Sequence, residues 1–370
     1  MSQLWWQMPG PRRFCLRITE SLQEGKNVLL QLPAGYPEGL QGNIHLLVGR
    51  PAEHWRVLSI KSGANYRPID LLFAQFTGTR PDRLATAGTL ANHPKFKGYI
   101  IWIDGVESQN WPLWHQFMLD YEHACRALGE YERSVFCLTL VGSVAETPIT
   151  PQISLDVWRY EQVAGLLDAL LYTATIMPED RIVGIKRRVA ITVIAHLALW
   201  DPALCEWLAR CPLATILRPA AVLQDFACRR GWDRGDTTID WCQGTLQTVD
   251  GIQQQHSAIY AFQQDDRELV RRIWIAQLSE IFPLLEQRRQ DLLRDLDGYL
   301  SVPFTTNYGE IISEKQDLEL GHIVWQLGQL QRAGRRDIRI QQAIQSASRL
   351  KKMRDTLAHL KVLDEQSIAL

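Results

Sequence analysis

The order of apolar and polar positions changes character along the chain. Between residues 1 and 150, nearly continuous apolar runs alternate with segments of helical period, which is the pattern of a parallel sheet covered on both faces. Asn27–Pro33 (NVLLQLP), Tyr99–Val106 (YIIWIDGV) and Ser134–Val141 (SVFCLTLV) predict buried strands. Ile44–Gly49 and Arg56–Ile60 are weaker strand candidates. Pro68–Phe76 has helical spacing behind a proline. Trp111–Leu128 repeats apolar residues every three and four positions, at Trp114, Phe117, Met118, Tyr121 and Cys125. Pro148 and Pro151 then punctuate Ala145–Ser154 and set a domain boundary there. From about Asp156 the chain reads as helical, with apolar stripes over Val163–Ala174, Arg188–Trp200, Leu269–Phe282 and Ile338 to about Leu360. Two stretches interrupt it: the polar segment 230–256, with Gly231, Gly235, Gly244 and Gly251, and Val302–Gly309. The expected fold is therefore an α/β N-terminal domain with a parallel sheet over 1–150, followed by an all-α region. That region divides into a helical middle part, 156–255, and a helical domain, 260–370.

Composition narrows the function classes. The 370 residues carry a net charge of −1, so no global field draws the protein to nucleic acid or to an anionic membrane, and any such contact is local. No run approaches the roughly 18 apolar residues of a membrane span, so no membrane association is expected. The seven cysteines are dispersed, contain no CxxC pair and sit mostly in apolar runs, as reduced thiols of a cytoplasmic protein do. His115 and His123 share one predicted helix but lack a third ligand in spacing, so they read as core or surface histidines, and no metal or other cofactor is expected. Most of the 13 tryptophans fall at helical-core spacing; Trp5 and Trp6 do not, and are left as candidate anchors for a partner.

Ile100–Ile103 followed by Asp104 is an apolar strand ending in an acid, and Val135–Leu140 is the next strand. Their order resembles the AAA+/STAND group of P-loop ATPases over roughly residues 20–145. That resemblance implies a nucleotide site at the turn after Val28–Leu32. Here the turn reads Pro33-Ala34-Gly35-Tyr36-Pro37-Glu38-Gly39-Leu40. Gly35 and Gly39 are present, but no Gly-Lys-Ser/Thr follows, and Glu38 brings negative charge to a place meant for phosphate. Gly35, Gly39 and Asp104 therefore mark a degenerate nucleotide site in a scaffold or docking domain, with no ATP hydrolysis expected. Without a lysine partner, Asp104 reads first as a strand-end acid that caps or hydrogen-bonds the following turn.

The segment Ser348–Leu363 (SRLKKMRDTLAHLKVL) resembles the signature of the HEPN superfamily, with Arg354, Asp355 and His359 matching its arginine, polar residue and histidine. The preceding Phe304–Leu327 is similar to the part before this motif in HEPN domains fused to NTPase-like modules. The resemblance spans about residues 260–370 and implies a metal-independent ribonuclease acting on RNA, typically as a homodimer or higher oligomer. It also implies a bacterial defence or toxin system whose neighbouring protein partner supplies sensing.

The residue chemistry agrees with that expectation. His359 is a general acid/base, Arg354 a bidentate phosphate ligand, and Asp355, four residues before His359, a group able to orient or charge the ring. Arg354 and His359 are five apart, which separates them by about 140° on a helix, so a complete site calls for two copies. The surrounding stretch is strongly basic: Arg332, Arg335, Arg336, Arg339, Arg349, Lys351, Lys352, Arg354 and Lys361 face only Asp337 and Asp355. Arg349, Lys351, Lys352 and Lys361 are the candidate RNA contacts. The alternative, from the same residues, is a solvated helix face with structural hydrogen bonds, in a non-catalytic adaptor subunit of a multi-protein assembly.

Overall fold

The computed structural model of the chain describes residues 2–368 except positions 50, 62, 64, 65, 80, 83, 130, 131, 235, 236, 307 and 336. Gly235 and Arg336, named above, lie outside the described residues. The chain forms two compact units: Met1–Thr175 with Ala198–Leu204 and Ala227–Ile259, and Ile176–Leu197 with Cys205–Phe226 and Tyr260–Leu370.

In the first unit, β1 (Asn27–Leu32), β2 (Trp55–Ser59), β3 (Ile100–Asp104), β4 (Val135–Val141) and β5 (Leu155–Arg159) make one all-parallel sheet in the order β2-β3-β4-β1-β5. Position in the sheet explains composition. The three inner strands are apolar almost throughout because both of their faces are covered, and all six residues of β1 are buried. The edge strands β2 and β5 leave most of their positions partly exposed. Asn27 secures the entry to β1, its Oδ1 accepting from the Phe136 N–H at 2.9 Å.

Four local readings change. Ile44–Gly49 is not a strand: it lies in the helix Leu40–Val48, bracketed by Gly39 and Gly49 in left-handed conformations that start and stop it. The chain beyond Asp156 is not wholly helical, because β5 follows the two prolines and pairs with β1. The polar 230–256 stretch contains a hairpin, β6 (Leu246–Val249) and β7 (Ile252–Gln255), around Asp250-Gly251 with φ of 50° and 80°. Asp-Gly with two positive φ values is the signature of a two-residue hairpin turn, and glutamine-rich strands hid it. Trp5 and Trp6 are core residues: both are buried, and their indole N–H groups donate to the Tyr160 hydroxyl (3.1 Å) and the Glu38 carbonyl (2.7 Å).

The second unit is helical apart from the two-residue strands β8 (Phe304–Thr305) and β9 (Ile311–Ile312), which pair within the predicted break. Its longest helix, Asp266–Asp295, continues through Pro283 rather than ending at Phe282, since Ile281 and Leu285 on either side are buried and hold the register. Against it and the helix Leu320–Arg332 packs the terminal helix Ile338–Ala358, through Ile340, Ala347, Leu350, Met353 and Leu357.

Leu29 is fully buried at the sheet centre, in register with Leu138 and Val157. Leu29→Ala should lower stability by about 2–5 kcal/mol, read as an earlier urea midpoint of the first transition; a loss below about 1 kcal/mol would show that this sheet does not carry the unit.

Candidate functional sites

The C-terminal ends of the strands in the first unit carry the nucleotide-site candidates. Asp104 closes β3, and its Oδ1 accepts from the Trp102 indole (2.7 Å) and from the Thr139 hydroxyl on β4 (2.8 Å). Its backbone carbonyl accepts from the Ile60 N–H. The carboxylate is thus tied into the strand ends. Tyr36 lies close enough that its phenol is pushed up to about 12, chiefly by burial, with the charges of Asp104 and Glu38 adding.

The turn after β1 is braced in a way that opposes phosphate binding. A phosphate cradle needs free backbone N–H groups aimed at the anion. Here the Ala34 N–H donates to the Cys242 carbonyl (2.7 Å) and the Tyr36 N–H to the Pro33 carbonyl (3.3 Å). Gly35 turns its carbonyl outward, where it accepts from Arg230 Nη1 at 3.1 Å. A Cβ on Gly35 would sit 2.3 Å from that nitrogen, so the end of Arg230 would have to shift, and the φ of +68° itself favours glycine. Beside Ala34 and Gly35 opens a cavity of about 280 Å³, lined also by Arg230, Trp232, Arg234 and Thr237.

Arg230 belongs to a buried network. Its Nη2 pairs with Asp201 (3.0 Å), whose Oδ1 caps the helix Pro202–Ala209 through the Ala203 N–H at 2.8 Å. His256 Nε2 lies 3.4 Å from Asp201 Oδ2, while its Nδ1 accepts from the Ala258 N–H. Burial pushes the Asp201 carboxyl up, but Arg230 and His256 outweigh it, and the net shift is downward. Sequence reasoning missed this trio. Its one legible signal was Asp201 before Pro202, an acid ahead of a first-turn proline.

In the second unit the motif is split. His359 is the C-cap of the terminal helix, exposed, and its side chain makes no hydrogen bond or ion pair among the described residues. It lines a cavity of about 350 Å³ together with Lys351, Lys352, Asp355 and Lys361. Arg354 lines a different one, about 360 Å³, with Phe282, Leu285, Asp317, Glu319 and Leu320. The helix thus separates arginine and histidine, as their five-residue spacing implies.

Charge pairing follows the same division. Asp355 accepts from Lys351 Nζ (2.6 Å) and from Arg354 Nη2 (3.0 Å) and Nε (3.2 Å), not from His359. Its carboxyl is held below the usual range, first by the Lys351 hydrogen bond and then by Arg354. Arg354 Nη1 reaches Glu319, at the start of the helix Leu320–Arg332, at 2.5 Å. Burial opposes the guanidinium charge, but the two carboxylates raise its pKa on balance. Arg349 stands apart, beside Arg288, Asp291 and Asp295 in a third cavity, so the four basic candidates do not form one surface. Glu319 escaped the sequence reading because 35 residues separate it from Arg354, beyond any helical period.

The chain beyond His359 is anchored. Leu360 adopts φ of +57°, and the Lys361 N–H donates to the Thr356 carbonyl. Gln277 then clamps Leu363 with both ends of its amide, at 2.8 and 2.7 Å.

No protein-family model matches this chain, and no curated protein matches it.

Arg230→Ala should cost about 3–5 kcal/mol at pH 7, because it strands the Asp201 carboxylate in the interior. Asp201 has a depressed folded pKa, so its ionised form contributes stability above the unfolded carboxyl pKa, and that contribution is lost as pH falls through the folded value. In the variant the folded pKa rises, and the deficit against wild type should shrink on acidification. Urea titrations from neutral pH down to pH 4 check this; a deficit constant with pH would remove the charge from the explanation.

Proposed function

We propose that the protein is a metal-independent RNA-cleaving effector that works as a homodimer or higher oligomer in the cytoplasm, with the N-terminal unit as its NTPase-derived scaffold. The observation that carries this reading is His359: an exposed imidazole, without a side-chain partner among the described residues, in a cavity walled by Lys351, Lys352 and Lys361. Lysines around an imidazole suit a polyanion whose own hydroxyl is the nucleophile. The RNA 2′-OH attacks the adjacent phosphorus and the P–O5′ bond breaks, leaving a 2′,3′-cyclic phosphate and a 5′-OH. One His359 takes the 2′ proton, and a second copy's histidine returns a proton to the 5′ oxygen. Arg354 from the pairing copy neutralises the phosphorane oxygens. For the scaffold, support comes from β1 running into a glycine-bearing turn and helix while Asp104 closes β3, two strands away. The resemblance of both halves supports a role in a bacterial defence or toxin system, with sensing by a partner protein.

A second reading, a non-catalytic adaptor, is favoured by Arg354, whose guanidinium is engaged by Glu319 and Asp355 in the way a structural group is.

Digestion of mixed RNA separates the two. His359→Ala should reduce cleavage by roughly 10²–10⁴ and Arg354→Ala by about 10²–10³, with cleavage retained in EDTA and products ending in cyclic phosphate. His359→Ala should leave the melting temperature unchanged because the ring is exposed and unbonded. Cleavage unaffected by either substitution would remove the nuclease site from this motif. Absence of wild-type cleavage, with a marked melting loss in Arg354→Ala, would establish the adaptor.

A further inference from the structure

Arg354 is not offered to solvent as a free cation. Three of its N–H groups point at carboxylates: Nη1 at Glu319, Nε and Nη2 at Asp355. The two carboxylates are held differently. Asp355 is on the same helix, one residue away, and is bonded to Lys351 as well. Glu319 comes from the start of another helix. Its backbone N–H donates to His322 Nδ1 at 3.2 Å, the carboxylate returns to the His322 backbone in a capping box, and the side chain is 60% exposed. An ion pair of that exposure is weakly held and opens at little cost. The cavity beside it, about 360 Å³, is lined by both members of the pair and has room for a phosphate group.

We infer that Glu319 is an internal stand-in for the substrate phosphate: it occupies the Arg354 guanidinium in the resting protein and swings aside when a phosphodiester arrives. A carboxylate and a phosphate present the same paired oxygens to the guanidinium fork, so both compete for one set of donors. Asp355 stays in place and keeps the guanidinium oriented through Nε and Nη2, leaving Nη1 as the group that changes partner. Glu319 is thus a positioning residue with a selective effect. It raises the threshold for weakly charged ligands and yields to a polyanion whose neighbouring phosphates gain from the lysines as well. This rests on Arg354 being the phosphate-binding group of the proposed activity.

The test uses the full chain, with pyrophosphate as probe, titrated calorimetrically at low salt. Glu319→Gln removes the competing charge while keeping the side chain's shape and should tighten pyrophosphate binding about two- to fivefold, the range of an exposed ion pair. The gain should vanish in Glu319→Gln/Arg354→Ala. Glu319→Asp, too short to reach Arg354, should give a smaller gain and serves if the glutamine variant melts early. Unchanged or weaker binding in both Glu319 variants overturns the inference, as does a gain that survives removal of Arg354, since that would be bulk charge. RNA cleavage measured alongside keeps the readings apart. A pyrophosphate gain without cleavage in any variant sinks the nuclease and leaves the latch; cleavage by wild type without a gain sinks the latch alone.

Discussion

A helix turns through about 100° per residue, and that single number governs the C-terminal unit. Five residues separate Arg354 from His359, so their side chains emerge on different sides of the terminal helix and line different cavities. Each is then free to meet its own surroundings. The histidine faces lysines, and the arginine faces carboxylates. Asp355, between them in azimuth, sides with the arginine and with Lys351, one turn earlier on its own helix. Within one copy the imidazole and the guanidinium therefore open onto separate cavities, and the proposed reaction draws on a second copy to bring them together.

In the N-terminal unit the turn after β1 has the opposite polarity to a phosphate-binding loop. Where a phosphate-binding loop aims N–H groups outward, this one bonds two of them to carbonyls and shows the Gly35 carbonyl to a guanidinium. Gly35 itself is held by its φ of +68°, a conformation that favours glycine. Arg230 is anchored to Asp201 through Nη2 while its Nη1 reaches the turn, and His256 lies against the same carboxylate.

What the sequence disclosed follows physical lines. The inner strands were legible because burial on both faces writes an unbroken apolar run, as in β1, β3 and β4. The terminal helix was legible because one buried stripe recurs at helical period. Less legible were elements whose composition contradicts their conformation: Leu40–Val48, a short apolar helix defined by two flanking glycines, and β6–β7, a hairpin of threonine and glutamine defined by Asp250-Gly251. At the candidate site the residues of the motif could be named, but not their partners. Glu319 and Arg230 meet Arg354 and Gly35 only through tertiary packing, which no spacing rule encodes.

The clamp between Gln277 and Leu363 has a mechanical consequence. His359 ends one helix and Leu363 is bolted, by two buried hydrogen bonds, to the middle of another. The three-residue span between them is fixed at both ends, like a short beam rather than a cantilever. Lys361 rides on that span, so the direction in which it presents its charge is set by a glutamine 84 positions earlier in the chain.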